Sequence, residues 1–177
     1  MCIRDSLMGG MEYHPNLDAA RFFLADILPR IREVLPAVPV QVVGRNLSPL
    51  QEWFGTGQVF FHESVPDVRP WLERCDLLAV PLRLGAGTRI KILEAMAAGI
   101  PVVTTAKGCE GIDVVADEHL VVADQPERFA GAVCRLLADR DAALRLTGNA
   151  RRLVESRYCW RELVERMVGD ITCQVGG

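Results

Sequence analysis

The fold is decided by the stretch CDLLAVPLRLGAGTRIKILEAMAAGIPVVTT, residues 75–105, which indicates strand, glycine loop, helix and strand. Residues 77–82 form a short apolar run, which is typical of a buried strand. The glycine-rich loop then breaks regular structure, and Thr88 behind it is a good N-cap for a helix. Gly99 predicts the end of this helix, and the apolar residues after Pro101 predict the next strand. The predicted apolar face of the helix consists of Ile90, Leu93 and Ala97.

The start of this helix is crowded with positive charge. Arg83, Arg89 and Lys91 lie around it, although the dipole at a helix N-terminus disfavours cations there by roughly 0.3–1 kcal/mol each. An anion such as a phosphate or diphosphate, bound to the free N–H groups, would resolve this conflict. A surface pair between Lys91 and Glu94 is the alternative, but it leaves the glycines and the two arginines unexplained.

Length and composition are those of one domain with a substantial core. The chain has 177 residues, of which 50% are hydrophobic, and a net charge of −3. There is no basic run and no basic–aromatic alternation, so nucleic acid is not expected as a partner. The six cysteines form no CxxC pair and no Cys/His cluster with metal spacing. They predict reduced thiols in a cytoplasmic protein without a metal site.

The beginning of the chain divides into two parts. The letters MCIRDS do not fit the pattern that follows, so we assign residues 1–6 to a non-native or artefactual segment and residues 7–177 to one domain. A strand end is predicted at residues 7–10. Asn16 is expected to cap a long helix, which Pro29 should kink or restart. The predicted buried stripe of this helix contains Ala19, Ala20, Phe23, Ile27 and Leu28.

Strands and helices alternate along the rest of the chain. Further strands are predicted near residues 38–44, 59–62 and 120–122, and helices over residues 49–53, 68–74, 124–137, 142–156 and 158–172. This alternation predicts an α/β fold with a Rossmann-like parallel sheet flanked by helices. Such sheets bind ligands at the carboxyl ends of their strands. Five loops fall on that edge and should line one cleft: residues 9–15, 44–48, 62–66, 83–87 and 105–111.

Several well-known functional motifs are absent from the sequence. There is no GxGxxG after a first strand, no GxxxxGK[ST], no GxSxG and no HExxH. What remains is an anion site at the Thr88 helix, with Glu94 about one turn further on. A carboxylate beside a phosphate site often accepts hydrogen bonds from ribose or sugar hydroxyls. A nucleotide-diphosphate sugar is therefore one ligand that fits the pattern, although the pattern does not single it out.

The motif GAGTRIKILEAMAAGIPVVTT, with the preceding VPLR, closely resembles the donor-binding C-terminal domain of GT-B glycosyltransferases of the retaining family 4. The segments GGMEYHPNLDAARFF, SVPDVRPWLERCDLLAVPLR and GCEGI are similar to the same family, so the resemblance covers nearly all of residues 7–160. It implies one half of a GT-B fold, which binds a nucleotide-diphosphate sugar for transfer to a glycan or lipid-linked acceptor. It implies no cofactor and no essential metal, because protein groups neutralise the leaving diphosphate.

The resemblance also implies roles for particular residues. The donor diphosphate would be held by Arg83, Gly87, Thr88, Arg89, Lys91, Gly10 and Met11. Glu94 matches the second glutamate of the family's E-x7-E motif, which usually binds the ribose. Ser64 and Val65 lie where the nucleobase is usually held. The resemblance assigns no residue with certainty as catalytic, and none as a metal ligand.

Two departures from the family pattern concern the same site. Ala86 stands where the first glutamate of the E-x7-E motif, which normally contacts the donor sugar, would lie. The loop after the first strand carries Glu12, Tyr13 and His14 where a basic residue is often found. Some branches of the family with the MxYxPN opening share both features, so we do not interpret them as a loss of activity.

The resemblance further implies an N-terminal acceptor domain that this chain lacks. The chain alone is therefore expected to bind nucleotide weakly and to transfer no sugar. The full-length protein is expected in the cytoplasm, with peripheral attachment to the inner membrane face as an option. A non-catalytic nucleotide-sugar-binding or scaffold module is the main alternative. A sugar-nucleotide epimerase is a weaker one, because only Glu110 offers an acid in the glycine loops.

Overall fold

The computed structural model describes residues 9–55, 57–67, 69–72, 74–87 and 89–158. The strands are β1 (Gly9–Gly10), β2 (Val40–Arg45), β3 (Val59–Glu63), β4 (Leu78–Val80), β5 (Val102–Thr104) and β6 (Val121–Val122). The helices are α1 (His14–Phe22), α2 (Leu28–Val34), α3 (Ser48–Phe54), α4 (Arg69–Leu72), α5 (Ile90–Ala97), α6 (Pro126–Ala138) and α7 (Arg140–Arg157). Of the strand end predicted at residues 7–10, residues 7 and 8 lie outside the described residues, as do the predicted cap at Thr88 and the helix predicted beyond residue 158.

The strands pair in parallel throughout. One three-stranded sheet has the order β1-β2-β3 and a second has the order β4-β5-β6. Val40 pairs with Val59 in the first sheet, and Leu78 pairs with Val102 in the second. Helices connect most successive strands, as parallel pairing requires. The predicted Rossmann-like α/β architecture is therefore confirmed. Among the helices of the described ranges, none combines the length and the apolar character needed to cross a bilayer.

β4 is buried on both of its faces. Ala79 packs in a cluster with Val40 and with residues of α2 and α6. Its neighbours Leu78 and Val80 pack in a second cluster with Ile92 of α5 and with residues of α7. Because successive side chains of a strand point to opposite faces, these two clusters place helices on both sides of the strand. Burial on both faces is also why β4 is read from the sequence as a continuous apolar run.

The predicted interruption near Pro29 takes the form of a π-helical turn. Residues 23–27 form this turn between α1 and α2, and the N–H of Leu28 donates to the carbonyl of Phe23, five residues back. Pro29 has no N–H, and its ring would collide with the carbonyl of Ala25 in a regular α-helix. A π turn lets the helical path continue through such a site. The predicted stripe is confirmed, since all its members are buried: Ala19, Ala20, Phe23, Ile27 and Leu28.

The first helix begins earlier than the sequence predicts. α1 begins at His14 with Tyr13 at the N-cap, so Asn16 lies inside the first turn and does not cap the helix. Pro15 explains the difference, because proline is favoured in the first turn, where its missing N–H costs no hydrogen bond. The side chain of Asn16 is consequently available for contacts outside its own helix.

α5 buries a different face from the predicted one. The helix begins at Ile90 with Arg89 at the N-cap. Its buried residues are Ile92, Ala95 and Met96. Ile90 is 57% exposed and Ala97 is also exposed, so the predicted face is wrong. Both sets of residues are apolar at helical spacing, and only contact with the sheet determines which of them is buried.

Candidate functional site

The loops at the ends of β1, β2 and β3 are joined by polar side chains. The carboxylate of Glu12 lies 3.1 Å from Nη2 of Arg45 and accepts a hydrogen bond of 3.1 Å from Nδ2 of Asn46. The backbone N–H of Asn46 donates to Oε1 of Glu63 at 3.0 Å. These contacts bring three of the five predicted loops to one edge.

Arg89 joins the loops that follow β4 and β5. Its side chain is only 7% exposed, and Nη2 donates to the carbonyls of Lys107 at 2.9 Å and Gly85 at 3.4 Å. Nη2 also lies 3.8 Å from Oε2 of Glu110. Nε is buried without a hydrogen-bond partner among the described residues. Arg89, a predicted diphosphate ligand, thus lies between two loops.

Gly85 connects the two groups of loops. Its φ of +99° lies in a region that glycine adopts without strain. A Cβ at this position would lie 3.0 Å from Cβ and Cγ of Pro15 and 3.2 Å from the hydroxyl of Tyr13. Glycine is therefore needed here both for the backbone conformation and for the close approach. The five loops therefore lie along one edge, as predicted. That all five line one cleft stays a prediction.

A small crevice lies between the ends of β1 and β4, the first strands of the two sheets. It is lined by Met11, Asn16, Ala19, Ala79, Val80, Pro81, Leu82 and Lys91. Most of this lining is apolar, and Asn16 and Lys91 supply its polar side-chain groups. Ligands of open α/β sheets bind in crevices of this kind, at the carboxyl ends of the strands.

The polar groups of the crevice are linked to one another. Nζ of Lys91 donates to Oδ1 of Asn16 at 3.4 Å, and Nδ2 of Asn16 donates to the carbonyl of Gly10 at 3.1 Å. Met11 is buried and follows Gly10. The structure therefore brings together Lys91, Gly10 and Met11 of the predicted diphosphate site. Asn16, a predicted helix cap, lies between them.

Arg83 lies on the α1 side of the edge and does not line the crevice. Its guanidinium donates to Asp18 through Nε at 3.0 Å and Nη2 at 2.6 Å. Its Cζ lies 4.3 Å from the ring centroid of Phe22. The hydrogen bonds to Asp18 raise the pKa of Arg83 above its ordinary value. The residue predicted to bind diphosphate is therefore held by a carboxylate in this structure.

The other predicted residues flank this centre. Ser64 follows β3 with φ +53° and is exposed, and Val65 is half-buried. Glu94 is exposed on α5. Gly87 has φ +109° in the loop before α5. Thr88 lies outside the described residues.

Two buried threonines, which the sequence analysis did not single out, support the same edge. Oγ1 of Thr104 donates to the carbonyl of Val80 at 2.9 Å. Oγ1 of Thr105 donates to the carbonyl of Leu82 and accepts from the N–H of Gly108 at 3.0 Å. Consecutive threonines between an apolar strand and a glycine turn were the available signal, since a hydroxyl can satisfy backbone groups there.

Glu110 is held as a carboxylate by its neighbour. Nζ of Lys107 lies 2.5 Å from Oε2 of Glu110 and lowers the pKa of this carboxyl group. This carboxylate is paired with Lys107 and does not line the crevice between β1 and β4, so the geometry does not favour the epimerase alternative. Among the described residues, no group of three or more His, Cys, Asp or Glu side chains is placed to hold a metal ion.

His62 marks the far end of the edge, next to Ser64. Its ring lies 3.9 Å from the ring of Trp71 between centroids and is hydrogen-bonded to the side chain of Gln41. Burial lowers the pKa of His62, because the charged imidazolium loses hydration. These contacts join β2, β3 and α4 beside the predicted base-binding residues.

The profile of the family Glycosyl transferases group 1 matches residues 6–139. The chain belongs to this family. A relative is YtcC of Bacillus subtilis (strain 168), a candidate glycosyltransferase by name, which is 35% identical over 77 residues. These residues make up 42% of this chain and 19% of YtcC, so the match spans about a fifth of that relative's length.

Several solved structures share this fold. The C-terminal domain of the group 1 glycosyltransferase LpcC from Francisella tularensis has a TM-score of 0.70 at 19% identity, over 88% of this chain and 87% of that chain. Sucrose-phosphate synthase from Thermosynechococcus elongatus has a TM-score of 0.74 at 19% identity, over 97% and 45%. HepE from Anabaena, solved in complex with UDP, has a TM-score of 0.72 at 15% identity, over 97% and 49%. The GT-B domain fold predicted from the sequence is confirmed.

Proposed function

We propose that this chain is the donor-binding half of a retaining glycosyltransferase, which moves a sugar from a nucleotide-diphosphate sugar to a glycan or lipid-linked acceptor. The observation that carries the proposal is the crevice between β1 and β4, where the ammonium group of Lys91 lies at the carboxyl edge. Membership of the group 1 family supports it. So do the complexes of HepE with UDP and with UDP-glucose, which share the fold.

In this proposal Lys91 neutralises the diphosphate as it leaves the sugar. A fixed cation at the edge of an apolar crevice stabilises developing negative charge without reorganising during the reaction. Met11 lines the same crevice and directly follows Gly10. Gly87 and Thr88 would supply backbone N–H groups to the diphosphate. No cofactor and no metal ion enters the proposal.

The nucleoside would extend from the crevice towards both flanks of the edge. Glu94 would accept from the ribose hydroxyls, and Ser64 and Val65 would contact the base. Arg83 would reach the diphosphate after its pair with Asp18 opens. Arg89 contributes by holding the two glycine loops in place, since its guanidinium already donates to their carbonyls.

The acceptor would bind to a second, N-terminal domain of the complete protein. The chain spans 45% of sucrose-phosphate synthase and 49% of HepE, which supports a larger enzyme. We therefore propose that the chain alone binds nucleotide and transfers no sugar. We also propose that the complete protein acts in the cytoplasm, with peripheral attachment to the inner membrane face as a further option.

Calorimetry of the chain with UDP, GDP and ADP tests the proposal. At least one of them should bind, and Lys91→Ala should weaken that binding about tenfold, since a close cation contributes about 1.4 kcal/mol to anion binding. Lys107→Ala is the matched control, because Lys107 lies in a neighbouring loop and does not line the crevice. Sugar transfer by the chain alone would contradict the two-domain proposal.

A non-catalytic nucleotide-sugar-binding or scaffold module is the second candidate. The engagement of Arg83 by Asp18 favours it, because a paired guanidinium offers less charge to a diphosphate. Absence of binding by all three nucleoside diphosphates at millimolar concentration would favour a scaffold without a donor site.

A further inference from the structure

Asn16 makes a bridge across the crevice, from the end of β1 to α5. Its Nδ2 donates to the carbonyl of Gly10 at 3.1 Å, and its Oδ1 accepts from Nζ of Lys91 at 3.4 Å. A carbonyl can only accept and an ammonium group can only donate, so one orientation of the amide satisfies both partners. We propose that Asn16 is the positioning residue that aims Lys91 at the donor diphosphate, an inference that rests on the proposed function.

The bridge also removes a repulsion from the site. A phosphate that approaches the carboxyl end of β1 meets the carbonyl oxygen of Gly10, whose lone pairs repel an anion. This oxygen accepts from the N–H of Tyr13 at 3.3 Å and from Nδ2 of Asn16 at 3.1 Å. Two donors thus engage the lone pairs of one carbonyl. Without the amide of Asn16, one of these lone pairs would be free to oppose the ligand.

The backbone of Asn16 is held by buried neighbours, so its amide can fix the long side chain of Lys91. Asn16 lies in the first turn of α1, next to Pro15, which is buried and packs against Gly85. Ala19, one turn further along, is also buried and lines the crevice. A lysine side chain has many rotamers, and ordering it upon binding lowers affinity. A fixed amide that orders Lys91 beforehand reduces this loss.

Two substitutions separate positioning from a general structural role. Asn16→Ala removes the bridge and leaves the charge of Lys91. Asn16→Asp places a carboxylate beside Lys91, which neutralises the cation and repels a diphosphate. The probe is whichever of UDP, GDP and ADP binds the unmodified chain most tightly, with the corresponding nucleoside as the phosphate-free comparison.

Asn149 offers a matched control on α7. Its Nδ2 donates to the carbonyl of Glu118 at 3.1 Å, and its Oδ1 accepts from Nη2 of Arg152 at 2.5 Å. It therefore has the same two kinds of partner as Asn16, but it does not line the crevice. Asn149→Asp makes the same change of charge away from the proposed site.

We expect Asn16→Asp to weaken binding of the diphosphate probe at least about tenfold, because a carboxylate in contact with Lys91 cancels the charge that attracts the anion. Asn16→Ala should weaken it about threefold, the cost of ordering one lysine side chain during binding. Asn149→Asp should leave the affinity unchanged. Affinity for the free nucleoside, measured by NMR titration, should stay the same in all variants.

A double-mutant cycle adds a measurement that does not depend on the aspartate variant. In the Lys91→Ala background, Asn16→Ala should weaken diphosphate binding less than it does in the unmodified chain, because the part of its effect that acts through Lys91 is then absent. Thermal unfolding of each variant checks that the fold is retained. If Asn16→Asp does not fold, this cycle alone decides the question.

The outcomes distinguish this inference from the proposed function. If no nucleoside diphosphate binds the unmodified chain, the proposed function fails. If one binds, but Asn16→Asp binds it as tightly as the unmodified chain, only the positioning role fails. The positioning role also fails if both Asn16 variants lose nucleoside and diphosphate affinity in equal proportion, or if the effects of Asn16→Ala and Lys91→Ala simply add.

Discussion

The two halves of the carboxyl edge are held together in different ways. At the ends of β1 and β2, the ion pair of Glu12 and Arg45 is open to solvent, with side chains 46% and 70% exposed. At the ends of β4 and β5, Arg89 and Thr105 make the corresponding contacts while buried. Exposed pairs contribute about 0–1 kcal/mol, whereas a buried polar group left unpaired costs about 1–3 kcal/mol. The β4–β5 side of the edge, with its loops at residues 83–87 and 105–111, is therefore held more rigidly, and we call it the firm wall.

This difference in rigidity agrees with the proposed function, in which one side of the edge binds the diphosphate and the other binds the base. Groups that stabilise a leaving diphosphate act best when they are fixed before the reaction begins. The firm wall carries the glycine loop and α5, from which Lys91 reaches into the crevice. The exposed contacts lie on the side of Ser64 and Val65, where the base would bind. Because its contacts are exposed, the loops on that side can change conformation at little cost in stability.

Gly108→Ala should have the largest effect on the firm wall. A Cβ at Gly108 would lie 2.8 Å from the carbonyl of Val80 and would also collide with the hydroxyl of Thr104. Both groups are buried and hydrogen-bonded to each other, so neither can move cheaply. We expect the free energy of unfolding to fall by about 3 kcal/mol, measured by urea denaturation.

Gly10→Ala is the matched substitution on the adjustable side. A Cβ at Gly10 would meet the carboxylate end of Glu12, an exposed and flexible group that can move away. The loss should stay below about 1 kcal/mol. Equal losses for the two alanine variants would contradict the distinction between the two walls.

Arg89→Ala should have the next largest effect. It leaves the carbonyls of Gly85 and Lys107 without their side-chain donor, and we expect a loss of about 2 kcal/mol in the free energy of unfolding. Arg45→Ala breaks only the exposed pair with Glu12 and should cost less than about 1 kcal/mol. Similar urea midpoints for these two variants would show that the buried bridge adds nothing.

The smallest effect concerns pH and the far end of the edge. Burial lowers the pKa of His62 in the folded chain below its ordinary value of 6.5. The unfolded chain therefore takes up this proton first, so stability should fall as the pH drops from 6.5 towards the folded pKa and then level off. His62→Gln should flatten this part of the curve of melting temperature against pH. His14→Gln, which retains His62, should keep it, and the same flattening in both variants would refute the assignment.

The topology and the shared edge could be predicted because both depend on chain direction. Apolar runs followed by glycine-rich loops indicate where strands end, and parallel pairing places those ends together. The sequence pattern does not indicate in this way where individual side chains of the loops point. Arg83 and Lys91 are close in sequence, yet the chain turns between them at Gly85 and Gly87, both with positive φ. One side chain lies against α1 and the other enters the crevice.

The sequence also does not show which of several neighbouring polar residues is inside. The charge of Arg89 groups it with Arg83 and Lys91, but the structure buries Arg89 between two loops. Asn16 resembled a helix cap because asparagine favours that position. The proline before it was the better signal, since it indicates an earlier helix start. The ligand-binding roles of these residues stay predictions.

The π-helical turn at residues 23–27 has a consequence for how the site is oriented. One additional residue in a helix rotates everything beyond it by about 100° around the axis. The turn therefore sets the rotation of α1 about the helix axis relative to α2. In this arrangement α1 directs Asn16 to the crevice and α2 packs against α6. Deletion of one residue from the turn would rotate the two helices relative to each other, so the contact of Asn16 with Lys91 and the packing of α2 against α6 could not both be kept.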